Sequence, residues 1–189
     1  AALTEAYGTT LALAKSGPGN AVLSGPLAFS GSLLLNEGSL TLATPAGLTT
    51  VIAGPVCGPG AILKAGAGDL ALSQSSPYAG GTTVQSGTLY AGANGSLGSG
   101  PVTVADGAAL DIVNGPATAN PIIGTAAIAN PVSAAGAGPD GLGALRNSSG
   151  ISQTNAFRSV TLAGDAAVYS ASRFDVRGGA FDFGGHALT

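Results

Sequence analysis

One small pattern constrains this chain more than any other: an apolar residue, any residue, then another apolar residue, bounded by glycine, proline, asparagine or serine. It recurs as LAL (11–13), LLL (33–35), LTL (40–42), LAL (70–72), VTV (102–104), LDI (110–112), VTL (160–162), FDV (174–176) and FDF (181–183). AVLS (21–24), TVIA (50–53), AILK (61–64) and TTVQ (82–85) follow the same grammar. Period two over three or four residues is the mark of a short half-buried strand. No stretch of ten residues carries helical spacing, so the chain is expected to be all-β.

Glycine supplies the breaks. The 189 residues include 32 Gly and 11 Pro, with 8% charged and 45% hydrophobic. Low charge with abundant glycine accompanies disorder only when aliphatic residues are also scarce. Here they are plentiful, so the glycines read as corners in a folded chain.

The spacing of the strands selects an architecture. Leu70, Leu89 and Leu110 recur about every 20 residues, each interval holding a shorter strand and a glycine turn. An immunoglobulin-like sandwich uses longer strands and more aromatic residues than the 5% present. The expectation is a right-handed parallel β-helix, or β-solenoid, with three short strands per coil and about eight or nine coils. Residues 1–189 then form a single solenoid segment. Both residues of each apolar pair should face inward, including Leu11, Leu13, Leu33, Leu35, Leu40, Leu42, Leu70, Leu72, Leu89, Val102 and Val104. The same holds for Leu110, Ile112, Val160, Leu162, Phe174, Val176, Phe181 and Phe183. The central residues should face outward: Ala12, Leu34, Thr41, Ala71, Tyr90, Thr103, Asp111, Thr161, Asp175 and Asp182. The stretch 114–142 carries Pro116, Pro121, Pro131 and Pro139, so its coils should be irregular and its strands brief. Ile122, Ile128 and Val132 are expected to continue the core there, with the glycine-proline segments bulging out and no helix of more than two turns.

The segment GAGDLALSQSSPYAGGTTVQSGTLYAGANGSLGSGPVTVADGAALDI (66–112) resembles the autotransporter passenger-associated β-strand repeat. Tyr78, Gly80, Gly81, Thr82, Val84, Gly87, Leu89, Leu97, Gly98, Gly100 and Val102 fall on that pattern. Residues 128–189 look like connecting coils of long members of the same class. The resemblance implies a bacterial β-helix exported to the cell surface, often within a much larger chain. It implies no catalytic residues, because the repeat has none.

The chemistry that the chain lacks is as informative. A net charge of −3 offers no basic surface for nucleic acid, and no apolar run of membrane-spanning length is present. A single cysteine, Cys57, excludes an internal disulfide and reads as a small buried hydrophobe. The chain opens at Ala1 without a basic and apolar leader, so it is read as a processed or excised piece. GAGPDG (136–141) matches the dinucleotide fingerprint G-x-G-x-x-G, but Pro139 and the glycines after it oppose the required helix. Asp69 lacks the companions of a calcium-binding β-roll. His186 is alone, with no nucleophile elbow or second imidazole. The four tyrosines, Tyr7, Tyr78, Tyr90 and Tyr169, read as corner packing rather than a sugar groove. Asn94-Gly-Ser and Asn147-Ser-Ser are formal glycosylation sequons that read as turns.

No catalytic, cofactor or metal site is therefore expected, and no cofactor. The densest charged group is Arg173, Asp175, Arg177 and Asp182, all pointing outward, with Asp175 and Asp182 neighbours on adjacent strands. It reads as an ion-pair ladder and a candidate interaction patch. Stacked coils leave unpaired strand edges at their ends, and neither terminus carries a polar cap. The reading is a non-enzymatic structural or adhesive protein of the extracellular or outer bacterial surface. It would extend or self-associate as a stalk or fibre, meeting another copy or its own polypeptide through the solenoid ends. The alternative is a carbohydrate-binding or polysaccharide-degrading β-helix that meets surface glycans, which requires convergent carboxylates in a groove.

Overall fold

In the computed structural model, residues 3–4, 11–25, 27–113 and 128–189 are described. Tyr7, Pro116, Pro121 and Ile122, which figure in the sequence expectations, lie outside them. The described residues contain strands and turns and no helix. In chain order the strands are β1 (Leu3–Thr4), β2 (Leu13–Lys15), β3 (Asn20–Ser24), β4 (Leu27–Phe29), β5 (Leu33–Leu35), β6 (Ser39–Ala43) and β7 (Thr49–Ile52). Then come β8 (Val56–Cys57), β9 (Ala61–Ala65), β10 (Asp69–Leu72), β11 (Thr82–Val84), β12 (Gly87–Ala91), β13 (Val102–Val104) and β14 (Ala108–Asp111). The last six are β15 (Ile128–Gly136), β16 (Leu145–Asn147), β17 (Gln153–Ala166), β18 (Val168–Ser170), β19 (Phe174–Val176) and β20 (Phe181–Asp182).

These strands fall on three faces of a parallel solenoid. Face one is eight strands deep, in the order β1-β4-β7-β10-β12-β14-β16-β18. Among the described residues, face two holds β2-β5-β8 and continues as an isolated bridge from Gly58 to Tyr78. Face three runs β3-β6-β9-β11-β13-β15-β17, with β19 and β20 both paired to β17. From β1 to β9 the strands visit the three faces in turn, and from β9 to β19 they alternate between faces three and one, each pairing with the equivalent strand of the coil before it. Parallel strands joined by corners, with no hairpins, require this winding.

The core is a set of inward ladders. Leu70, Leu89, Leu110, Leu145 and Val168 succeed one another on face one. Leu40, Ile62, Thr82, Val102, Val132 and Val160 do so on face three. Leu33, Leu35, Leu40, Leu42, Leu70, Leu72, Leu89, Val102, Val104, Leu110, Ile112, Val160 and Leu162 are buried as expected. At about 25 cal/mol per Å² of apolar surface, such stacking is the main term holding the coils together. Ile128 and Val132 also continue the core, and the glycine-proline turn Ala137–Leu142 lies outside it.

Several expectations need correction. Leu11 and Leu13 are only partly buried, because β2 is the edge strand of face two. Phe174, Val176 and Phe181 are likewise partly buried in the last described coil. Phe183 is 49% exposed: β20 ends at Asp182 and the chain turns away at Gly184 and Gly185. Cys57 is half-buried on the outward row beside Leu34, not in the core. Thr41, Ala71 and Asp111 hold outward rungs but are buried. Ala71 sits between Val51 and Tyr90 on its ladder, and Thr41 is bonded to Asn20 at 3.0 Å. The described strand of the proline-rich region is not brief, since β15 has nine residues. A register irregularity between Ile128 and Pro131 lets the ladder pass a residue that has no N–H.

Candidate functional site

Three constellations place polar chemistry on this scaffold. The first is the charged group at the C-terminal end. Asp175 on β19 lies between two arginines, 2.7 Å from Arg173 Nη2 and 3.1 Å from Arg177 Nη2. Hydrogen bonding from Arg173 holds its carboxyl below the usual carboxylate range. Asp182 is placed elsewhere: β19 and β20 lie end to end along β17 rather than side by side, and Asp182 Oδ1 accepts the Gly184 N–H.

The second was not visible in the sequence. Tyr90, Asp111, Arg146 and Tyr169 are successive rungs of an outward row on face one. Arg146 is 6% exposed and Asp111 2%. The Arg146 guanidinium forms a forked ion pair with Asp140, with Nη1 2.9 Å from Oδ2, and Nε donates to Gly143 O. These bonds pin the glycine-rich turn of residues 137–143 to the sheet. The dinucleotide-like GAGPDG thus forms a pinned turn with no helix after it. Burial pushes the Asp140 carboxyl up, but Arg146 and the Leu142 N–H outweigh it and hold it below the usual range. Asp111 accepts the Ser148 N–H at 3.2 Å, and burial raises its pKa against that bond and Arg146. Asp69 is also raised by burial. Tyr90 is pushed up to about 12 by burial, then by Asp69 and Asp111. Asp111 and Asp140 are therefore committed to internal partners.

The third lies inside the solenoid. Lys64 occupies an inward rung of face three between Leu42 and Val84, with no exposure. Its Nζ donates to Ala65 O at 2.9 Å, Gly66 O at 2.8 Å and Ser86 O at 2.9 Å. Burial lowers its pKa to about 8, opposed by Asp69. Lys15 repeats the device on face two, donating to Ser16 O, Gly17 O and Glu37 O. Asn130 performs the same task with an amide, reaching Leu97 O, Gly98 O and Gly100 O. At these corners the three side chains supply hydrogen-bond donors to main-chain carbonyls of the turning chain.

The remaining candidates stand apart from these three groups. Tyr78 is fully buried, with its hydroxyl 2.5 Å from Thr82 Oγ1. His186 Nδ1 lies 3.8 Å from Asp165 Oδ1 on an open surface. Asn147 is buried and its amide bonds Ile151 O and Arg173 O, so it offers no acceptor for a glycan. Among the described residues, no group of three or more His, Cys, Asp or Glu is placed to hold a metal ion. No described helix is long and apolar enough to cross a membrane.

A three-faced parallel β-solenoid with carbonyl-capping side chains at its corners defines a class of repetitive β-helical protein. The sequence places the chain within that class. Residues 13–42 and 62–91 each match the passenger-associated-transport repeat. A relative is the adhesin BmaC autotransporter of Brucella suis biovar 1 (strain 1330), 34% identical over 115 residues. That match covers 55% of this chain and 3% of the adhesin, so the chain spans a small fraction of its relative's length. No solved structure matches.

The second repeat begins 49 residues after the first, at 62 against 13. Lys15 and Lys64 share one repeat position, as do their acceptors. Gly38 and Gly87 share another, with φ of +64° and +70°. A Cβ at Gly38 would lie 2.3 Å from Gly19 O, and at Gly87 2.2 Å from Gly68 O. The two matches are therefore the same structural unit.

Proposed function

We propose that this chain is a non-enzymatic, rigid section of a bacterial surface adhesin, a stalk or fibre element displayed outside the cell. The observation that carries the reading is the unbroken parallel register of face one, eight strands deep, across two passenger repeats. At about 4.8 Å per coil this section is about 34 Å long. An adhesin that contains many such coils becomes a rod holding its binding surfaces away from the cell. The last described coil leaves Phe174, Val176 and Phe181 only partly covered, so strand pairing there continues the solenoid, with the same polypeptide or with a second copy. Arg173, Asp175, Arg177 and Asp182 flank that end and bias which neighbour is accepted, since charge complementarity acts on specificity more than affinity.

The glycan-directed alternative is less favoured, because Asp111 and Asp140 are already held by Ser148 and Arg146. Electron microscopy of the full-length protein tests the proposal. Unbranched rods whose length scales with coil number are expected. A compact particle that cleaves a polysaccharide would overturn it.

A further inference from the structure

The turn of residues 93–98 crosses the second face between β12 and β13. Ser96 and Leu97 are buried anchors, and Ser96 N donates to Ala93 O at 3.1 Å. Gly95 O accepts two N–H groups, from Gly98 at 3.2 Å and from Ser76 of the preceding coil at 3.0 Å. At the apex, Asn94 and Gly95 are both exposed, and Gly95 has φ +71°. Among the described hydrogen bonds, neither the Asn94 carboxamide nor the Gly95 N–H takes part. The contrast with other asparagines is sharp: Asn36 Nδ2 donates to Ser16 Oγ at 3.0 Å, while Asn130 and Asn147 each bond backbone carbonyls.

We propose that Asn94–Gly95 is a site of spontaneous deamidation, a chemical modification built into an exposed corner of the solenoid. Asparagine is among the thermolabile side chains, and the reaction needs three things that this turn supplies. The Gly95 nitrogen must lose its proton, and here no acceptor holds that proton. It must then reach Asn94 Cγ, and glycine has no Cβ to block the approach. Water must reach the product, and the apex is open.

The steps balance without any added reagent. Gly95 N attacks Cγ of Asn94, a C–N bond closes a five-membered succinimide, and Nδ2 leaves as ammonia. Water then opens the ring at either carbonyl, giving aspartate or isoaspartate at position 94. No electrons are gained or lost overall. Net charge moves from −3 to one unit more negative. The isoaspartate form threads the backbone through the former side chain and displaces the carbonyl of Gly95, the acceptor that ties this turn to Ser76 below. Modification therefore loosens one inter-coil contact at the second face while leaving the inward ladders intact.

The test is peptide mapping of the folded chain after prolonged incubation in mildly alkaline buffer, with enzymatic methyl-labelling of isoaspartate. The map is read at the peptide holding Asn94, separated from the second Asn-Gly pair at Asn114–Gly115. The expected result is an amide-to-acid mass gain and isoaspartate label at Asn94, several-fold above Asn36, Asn130 and Asn147. Asn94→Gln should remove the signal from that peptide. If folded Asn94 keeps its amide while the urea-unfolded chain converts in the same buffer, the fold protects the site and the proposal fails.

Discussion

Replacing Lys64 by methionine tests whether the buried ammonium holds its corner together. Methionine has similar length and keeps the inward rung apolar, so the perturbation removes donors rather than volume. Three carbonyls are affected, those of Ala65, Gly66 and Ser86. Ala65 O retains the Thr44 N–H at 2.9 Å, which leaves Gly66 O and Ser86 O to lose the Lys64 donor. An unsatisfied buried acceptor costs about 1–3 kcal/mol; Gly66 and Ser86 are only half-buried, so the pair costs about 2–4 kcal/mol, at the lower part of that range. Relief from burying a charge offsets part of this, giving a net loss of about 2 kcal/mol. For a chain of this length that corresponds to a fall of about 6 °C in Tm.

Calorimetry gives the magnitude, and amide hydrogen exchange gives the location. Because repeat proteins are stabilised by nearest-neighbour terms, lost protection should concentrate at residues 62–66 and 84–88. The pH dependence has a definite sign. The folded Lys64 loses its proton near pH 8, while an unfolded lysine keeps it to about 10.4. Between those values the unfolded state binds more protons, so the contribution of Lys64 to stability rises with pH and falls as pH drops through 8. The gap between the parent chain and Lys64→Met should widen over that window. A variant that melts at or above the parent temperature would refute the reasoning, since it would show that charge burial outweighs the carbonyl bonds.

Three other outcomes are expected. Asp111→Asn should be neutral or stabilising at pH 7 and without effect at pH 3, measured by urea titration. Burial raises this carboxyl, so its contribution is present below the unfolded pKa and lost as pH rises through the folded one. Arg146→Met should free the turn of residues 137–143 while leaving the inward ladders in place, and limited proteolysis should then cut at Gly138–Leu142; resistance equal to the parent would show that the ion pair does not pin the turn. Combined Arg173→Gln, Asp175→Asn, Arg177→Gln and Asp182→Asn should change the salt dependence of self-association in sedimentation velocity without altering Tm, and unchanged association would remove these residues from the proposed interface.

The inward ladders were legible because alternation over three residues fixes a face, and coils of about 20 residues fix what stacks on what. Leu70, Leu89 and Leu110 follow directly from that arithmetic. Lys64 was legible in principle: period two from Ile62 places it inward, and a lysine recurs at the same repeat position in Lys15. The rule that lysine belongs outside obscures this signal until the corner carbonyls are seen. The face-one cluster was not legible. Asp111 and Arg146 are rung neighbours although 35 positions apart, and the irregular stretch between them gives no spacing from which to infer it. Phe183 fails for a different reason, because alternation presumes that the strand continues and β20 stops at Asp182.

The repeat itself carries a further consequence for how such a surface works. Residues 13–42 begin on face two with β2, whereas residues 62–91 begin on face three with β9. Two coils separate Leu13 from Val56 on face two, and Ile62 follows on the next face. The second repeat is therefore the first one advanced by two coils and turned by one face. Its lysine clamp and its glycine contact survive the turn, because both depend on local corner geometry and neither on which face they occupy. Outward positions do not line up in the same way. Leu34 on face two corresponds to Thr83 on face three, and Thr41 on face three to Tyr90 on face one. A straight binding stripe cannot arise from repeating such a unit. The repeat specifies core and corners and leaves the exterior free to vary. On the proposed adhesive role, recognition then belongs to features that interrupt the pattern, such as the Arg146-pinned turn and the arginine-flanked Asp175, rather than to the repeat.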